Sequence, residues 1–197
     1  IPMSMTQEVA MQAARLVADE GLDYGSAKRK AARALGMDRA RQLPSNEQVE
    51  DEVRAHLALF HAETQPTELM AMRRVALRWM QRVVHLRPYV SRAVWRGTAT
   101  LSSPICIELY ADDPKMAEID LINLGLRDAQ SVPGTDFIVL TRQEKVVELD
   151  TSVEIHFSVL DADALRGALK PDARGGSWRG DAAALARLLD ADGADAA

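Results

Sequence analysis

Along the first half of the chain the apolar positions recur every three or four residues. Val9, Ala13, Leu16 and Val17 mark one face of a helix that Ser4 or Thr6 can cap and that ends near Gly21. A second, short helix is predicted from Ser26 to Leu35, with Gly36 closing it. After Pro44, Ser45 and Gln48 have the spacing of a capping box, in which each side chain satisfies the other's backbone amide. The stripe that follows, Val49, Val53, Leu57 and Phe60, is helical. A fourth helix opens at Pro66 and Thr67, presents Leu69, Met72, Ala76, Met80 and Val83 on one face, and ends before Pro88.

Beyond Tyr89 the period changes from 3.6 to 2. A strand is predicted leading into Gly97-Thr98-Ala99, and a polar turn through Ser102-Ser103 follows it. Ile105, Ile107 and Leu109 alternate with Cys106, Glu108 and Tyr110. The stretch Asp112-Asp113-Pro114-Lys115 has turn chemistry, and Ile119 and Leu121 then alternate with Glu118 and Asp120, which predicts a hairpin. Phe137 to Leu140, apolar on both faces, predicts a buried strand. Lys145 to Leu149 and Val153 to Val159 predict a second hairpin around Asp150-Thr151. In its later strand Val153, Ile155, Phe157 and Val159 share one face, and Glu154, His156 and Ser158 the other. Asp161 caps a short helix toward Leu169, residues 170–180 read as a loop, and a last helix runs from Asp181 to Leu189. The fold class is therefore α+β. A helical region covers residues 1–88, and a mixed, mostly antiparallel sheet with a C-terminal helix covers 89–190. Residues 191–197 are expected to form a disordered acidic tail.

Composition narrows the class. The chain has 197 residues, 47% hydrophobic and 27% charged, which supports an ordinary core. No stretch approaches the roughly 18 apolar residues of a membrane span. The single cysteine, Cys106, permits no internal disulfide and fits a reducing compartment. No basic stretch followed by an apolar one marks a secretory leader, so a cytoplasmic location is expected. Net charge is −5. Residues 1–96 hold 15 Lys+Arg against 11 Asp+Glu, or +4, and the rest hold 9 against 18, or −9. That asymmetry favours packing between the halves, between two subunits or against a protein partner. It also offers a field that steers an anionic ligand to the helical half.

The segment Val94 to Asn123 carries the candidate chemistry. A strand, Gly97-Thr98-Ala99, a polar turn and a further strand resemble the core of the nucleotidyltransferase superfamily. The chain as a whole resembles a group of bacterial proteins described as nucleotidyltransferase-like. That likeness runs through Tyr24-Gly25-Ser26-Ala27-Lys28-Arg29-Lys30-Ala31-Ala32-Arg33, Gly97-Thr98-Ala99, Ala117-Glu118-Ile119 and Leu121-Ile122-Asn123. The resemblance implies a Gly-Thr turn, here Gly97 and Thr98, that lets backbone donors approach phosphate. It also implies two carboxylates at i and i+2 of one strand, with a third from a neighbouring strand, holding divalent metal. The superfamily pattern after Ser103 is carboxylate, apolar, carboxylate, and this chain has Pro104-Ile105-Cys106. The acidic candidates that remain are Glu108, Glu118 and Asp120. Mg²⁺ is implied only if these three cluster, and otherwise no cofactor is expected.

Other clusters have plainer readings. Lys28, Arg29, Lys30 and Arg33 form a basic cluster on the second helix. Arg29 and Arg33 are i, i+4 neighbours able to hold phosphate or a nucleic-acid backbone, or simply to face solvent. Arg73, Arg74, Arg78 and Arg82 form a second stripe that acidic neighbours could neutralise. His56, His61, His85 and His156 are scattered and read as structural, and Cys106 as a packing residue. Two functions emerge. One is a catalytically degenerate nucleotidyltransferase-like protein retaining nucleotide or phosphate binding. The other is a non-catalytic module that binds a protein or nucleic acid through its basic helical half.

Overall fold

The computed structural model describes residues 2–37 and 42–195. Four helices open the chain: α1 (Met5–Glu20), α2 (Tyr24–Ala34), α3 (Asn46–Phe60) and α4 (Gln65–Arg82). Ser4 caps α1 through the Gln7 amide, and the predicted capping box of Ser45 and Gln48 is formed at α3. The cap of α2 is Asp23, whose carboxylate accepts from the Ser26 amide, so the helix starts two residues before Ser26. Asp is as good a cap as Ser, and Tyr24 and Gly25 fit the first turn. Phe60, expected on the buried stripe of α3, is 66% exposed.

The chain resolves into two compact units. The first comprises residues 1–68 and 98–103, the second residues 69–97 and 104–197. In the first, Val9, Ala13 and Val17 of α1 join Ala27 and Ala31 of α2 and Val49, Val53 and Leu57 of α3 in one apolar cluster. The alanines let the helix backbones approach closely. Residues 98–103 are stitched into this unit. Thr100 Oγ1 donates to the Ala18 carbonyl at 2.9 Å, and Gln65 Nε2 donates to the Ala99 carbonyl at 2.8 Å. Gly21, the C-cap of α1 at φ +70°, lies so close that an added Cβ would sit 2.0 Å from the Ser102 carbonyl oxygen.

The second unit is built on a six-stranded sheet. Its strands are β1 (Pro88–Ser91), β2 (Ile105–Ala111), β3 (Arg127–Ser131), β4 (Ile138–Val146), β5 (Thr151–Asp161) and β6 (Arg179–Asp181). They lie in the order β3-β4-β5-β2-β1-β6. Among the described residues only β2 and β5 run parallel, and the other four pairs are antiparallel. Ile105, Ile107 and Leu109 of β2 align with Ile155, Phe157 and Val159 of β5, and Leu140 of β4 aligns with Phe157. All seven are buried, and Trp79 of α4 meets Phe157 edge-on at 5.4 Å. The helices of this unit are the C-terminal part of α4, α5 (Arg92–Arg96), α6 (Pro114–Asn123), α7 (Leu165–Ala168) and α8 (Ala182–Asp195).

Several expectations are corrected. The strand before Gly97 is β1, which ends at Ser91, and the helix α5 intervenes. The hairpin at 105–121 does not form, because residues 114–123 are helix α6. Asp113 caps it by accepting from the Lys115 and Met116 amides, and Pro114 occupies the first turn, where its missing N–H costs nothing. The alternation of Glu118, Ile119, Asp120 and Leu121 was too short to exclude a helix burying Ala117 and Leu121 at i, i+4. In the expected strand Phe137–Leu140, only Leu140 is buried, and pairing begins at Ile138 and runs to Val146. The acidic tail is helical through Asp195, as Asp181 caps α8 by accepting from Ala184; residues 196–197 lie outside the described residues.

The close approach at Gly21 gives a paired test. Gly21→Ala adds a clash to the backbone penalty of a positive φ and is expected to cost roughly 2–5 kcal/mol in urea unfolding. Gly36→Ala, at φ +73° with nothing within 4 Å of an added Cβ, should cost only about 1–2 kcal/mol. Equal losses would show that the Ser102 contact does not constrain this turn.

Candidate functional site

Alternation along β2 places Cys106, Glu108 and Tyr110 on the face opposite the apolar core. The register continues that face across the sheet. Ser91, Cys106, His156 and Thr141 form one row, and Tyr89, Glu108 and Ser158 the next. On β5, Glu154 follows this face and holds the His156 ring through Nε2. The side-chain pair Cys106–His156 is invisible to sequence spacing, since 50 residues separate its members.

Glu108 is already occupied. Arg179, from the edge strand β6, brings Nε to 2.6 Å from its Oε1, and both side chains are less than 20% exposed. Arg179 also donates to the Ala168 carbonyl at the end of α7. Tyr110 donates to the same Glu108 oxygen at 3.4 Å and is itself packed edge-on by Tyr89 at 5.7 Å. Burial, and then the Glu108 carboxylate, push the Tyr110 phenol well above its ordinary range, against the pull of Arg179. The phenol therefore stays protonated and serves as a donor.

A clasp on the preceding turn delivers Arg179 to this position. Arg96, the last residue of α5, pairs with Asp172 at 2.8 Å and stacks over Trp178 at 4.3 Å. Trp95 Nε1 donates to the Ser177 carbonyl at 2.9 Å. The Asp172 side chain is 3% exposed. Desolvation works to raise its carboxyl, but Arg96 and the Gly176 and Arg174 amides overcome that and hold it below the ordinary carboxylate range. Residues 170–180, expected as a loop, contain a braced turn and the start of the strand β6. Nothing in the local pattern of Gly175-Gly176 announced this.

Among the described residues Glu118 and Asp120 do not cluster with Glu108. Glu118 and Asp120 sit on α6, two residues and so about 200° apart around its axis. Glu118 pairs with Lys115 at 3.0 Å, and Asp120 lies 3.5 Å from His85. Gly97 is the C-cap of α5 at φ +86°, its amide spent on the Ala93 carbonyl. That end of a helix presents carbonyls, which repel phosphate. Thr98 is 1% exposed, and its Oγ1 has no hydrogen-bond partner among the described residues. On α2, Lys28 donates to the Pro44 carbonyl and to Asn46 Oδ1, Arg29 to Ser26 Oγ, and Lys30 to Glu20. Arg33 is exposed in the last turn. Arg73, counted with the basic stripe of α4, is buried. It donates to the Val94 and Trp95 carbonyls and pairs with Asp192.

These residues do not fit the Mg²⁺ centre that the superfamily resemblance implies. Mg²⁺ needs several oxygen ligands of unneutralised charge. Here the two ligand positions that the resemblance implies carry Pro104, just before β2, and the Cys106 thiol, and Glu108 has a guanidinium partner. Comparison of the chain with protein-family models, with curated proteins and with solved structures found no match.

Two measurements check this architecture. A double-mutant cycle of Glu108→Gln and Arg179→Gln is expected to give a coupling of roughly 1–3 kcal/mol, since both groups are largely withdrawn from water. A coupling near zero would mean that the pair contributes nothing to holding β6. Asp172, with its folded value below the ordinary one, contributes stability above the ordinary carboxyl value and loses it as pH falls through the folded one. The difference in urea midpoint between the native chain and Asp172→Asn should therefore be full at neutral pH and shrink below about pH 4.

Proposed function

We propose that this chain is a nucleotidyltransferase-like protein that does not carry out metal-assisted nucleotidyl transfer. It binds a nucleotide or another phosphate-bearing ligand as a non-catalytic module. The observation that carries this reading is the Arg179 guanidinium on Glu108. Glu108 is the one carboxylate left on the strand that supplies the paired ligands in the superfamily, and a cation already sits against it. A divalent ion there would face repulsion from that guanidinium at close range. It would also find no second hard ligand, because Pro104 has none and Cys106 offers a soft one.

Binding draws on what the same face offers instead. His156, Ser158 and Thr141 are part-exposed hydrogen-bonding groups in adjacent positions on β5 and β4. They suit ribose, base or phosphate oxygens without a metal.

A second reading is favoured by α4. Arg74, Arg78 and Arg82 are exposed at i, i+4 and i+8, about 6 Å per step. Neither Arg74 nor Arg78 has an acidic partner among the described residues. Such a stripe fits an acidic protein surface or a nucleic-acid backbone.

The first reading is tested by incubating the chain with labelled nucleoside triphosphates, Mg²⁺ and a mixed acceptor pool. No labelled product is expected beyond that formed by folded Glu108→Ala. Product that the native chain makes and the variant does not would overturn the non-catalytic reading. In a thermal-shift screen a nucleotide at about 100 times its dissociation constant should raise the midpoint by roughly 5–10 °C without Mg²⁺, and less in His156→Ala. If no nucleotide shifts the midpoint, and the Arg74→Gln, Arg78→Gln, Arg82→Gln variant loses salt-dependent retention on heparin, the arginine stripe becomes the better reading.

A further inference from the structure

The helical unit contains a group of metal-ligating side chains that the sheet-face reading does not use. Asp19 lies in the last turn of α1. His56 lies on α3, and His61 is the residue that caps the C-terminus of α3. The packing of Val9, Ala13 and Val17 against Val49, Val53 and Leu57 fixes these two helix ends relative to each other. One ligand atom from each of the three side chains lies within 4.8 Å of the other two. His56 Nε2 is 3.3 Å and His61 Nε2 is 3.5 Å from the same oxygen, Oδ1 of Asp19. The His56 side chain is 14% exposed and packs against the Phe60 ring at 4.8 Å, so it is held in place. Asp19 is exposed and His61 partly so.

The distances discriminate between ligand sets. An ion bound at about 2.0–2.1 Å by imidazole nitrogen and carboxylate oxygen in a tetrahedron has ligand–ligand edges of about 3.4 Å. Both nitrogen–oxygen edges already have that length. Two imidazoles with one carboxylate are a donor set for a borderline divalent transition ion and a poor one for Mg²⁺ or Ca²⁺, which take oxygen. The other histidines lack this convergence: among the ion pairs of the described residues His85 meets only Asp120 and His156 only Glu154.

We propose that Asp19, His56 and His61 bind one divalent transition-metal ion of the zinc class. The ion ties the end of α1 to the end of α3 and leaves a coordination position open to solvent. This site is independent of the sheet face and of whether that face binds a nucleotide. The sequence signature is His-x4-His across a helix end, joined to an aspartate 37 residues before the first histidine. That spacing escapes a search built on paired cysteines.

The test uses the full chain without an affinity tag, titrated with Co²⁺ as the probe. One ion per chain should bind with a visible d–d band. Zn²⁺ should displace it, and excess Mg²⁺ should not. His56→Ala and His61→Ala should each weaken binding by more than the roughly 10–100-fold that loss of a mere supporting residue costs a metal site. His85→Ala and His156→Ala should leave it unchanged. Absence of a saturable band in the native chain overturns the proposal, and so does a band that persists unaltered in both ligand variants. If either variant loses its helical circular dichroism, the paramagnetically shifted proton spectrum of the Co²⁺-loaded native chain decides instead. Two exchangeable imidazole N–H signals are expected, and any other number overturns the assignment.

Discussion

The parallel pairing of β2 with β5 is the constraint on which the second unit depends. Parallel neighbours cannot be joined by a tight turn, so the chain must leave the sheet and return. Between them it builds α6, β3 and β4. The register of that one pairing then decides both faces. It sets Ile107 against Phe157 and Leu109 against Val159 on the apolar side, and Cys106 against His156 and Glu108 against Ser158 on the other. A slip of β2 by one residue would turn its apolar set to the other face and bury the Glu108 carboxylate in place of isoleucine and leucine.

Three arginines hold the edge of this sheet, and each works as a hydrogen-bonding bracket rather than as a surface charge. Arg73 donates to two carbonyls at the end of α5 and pairs with Asp192 of α8. Those carbonyls are groups a five-residue helix cannot satisfy by itself. Arg96 ties α5 to the 172–178 turn, and Arg179 then reaches Glu108 and the Ala168 carbonyl. The planar guanidinium suits this use because it donates in several directions at once and keeps its charge. The consequence for function is electrostatic. The polar face offers hydrogen-bonding groups, while its best-placed carboxylate is neutralised by the same bracket that orders β6.

The first unit obeys a different constraint, close backbone approach. Alanines at 13, 14, 27, 31 and 32 are all buried, and Gly21 passes the Ser102 carbonyl with no room for a side chain. The segment 98–103 is bound into this unit by Thr100 and Gln65, and within the segment Ser103 Oγ accepts from the Thr100 amide. That arrangement leaves Thr98 buried and its hydroxyl without a partner among the described residues. Asp19, His56 and His61 come together because the same packing brings two helix ends side by side.

The sequence by itself determined the four N-terminal helices, the capping box at Ser45, the alternation of β2 and β5 and the turn at Asp150-Thr151. Each of these rests on local chemistry: a cap, a period or a turn within about ten residues. The sequence split β4 in two, however, and read residues 147–149, a 3-10 turn, as strand. It misread residues 114–123, where a strand-like alternation of four residues competed with an Asp-Pro helix start, and the helix won by burying Ala117 and Leu121. The position of Gly97 followed from that same limit, since a five-residue helix such as α5 leaves no periodic trace. Of the candidate site, the sequence singled out Glu108 but not its ion-pair partner, because Arg179 is 71 residues away. Nor could it place His156 beside Cys106, or bring Asp19 to His56 and His61. Side chains far apart in the chain meet only when strand register and helix packing are fixed, and those are decided by the burial of the whole core rather than by any one segment.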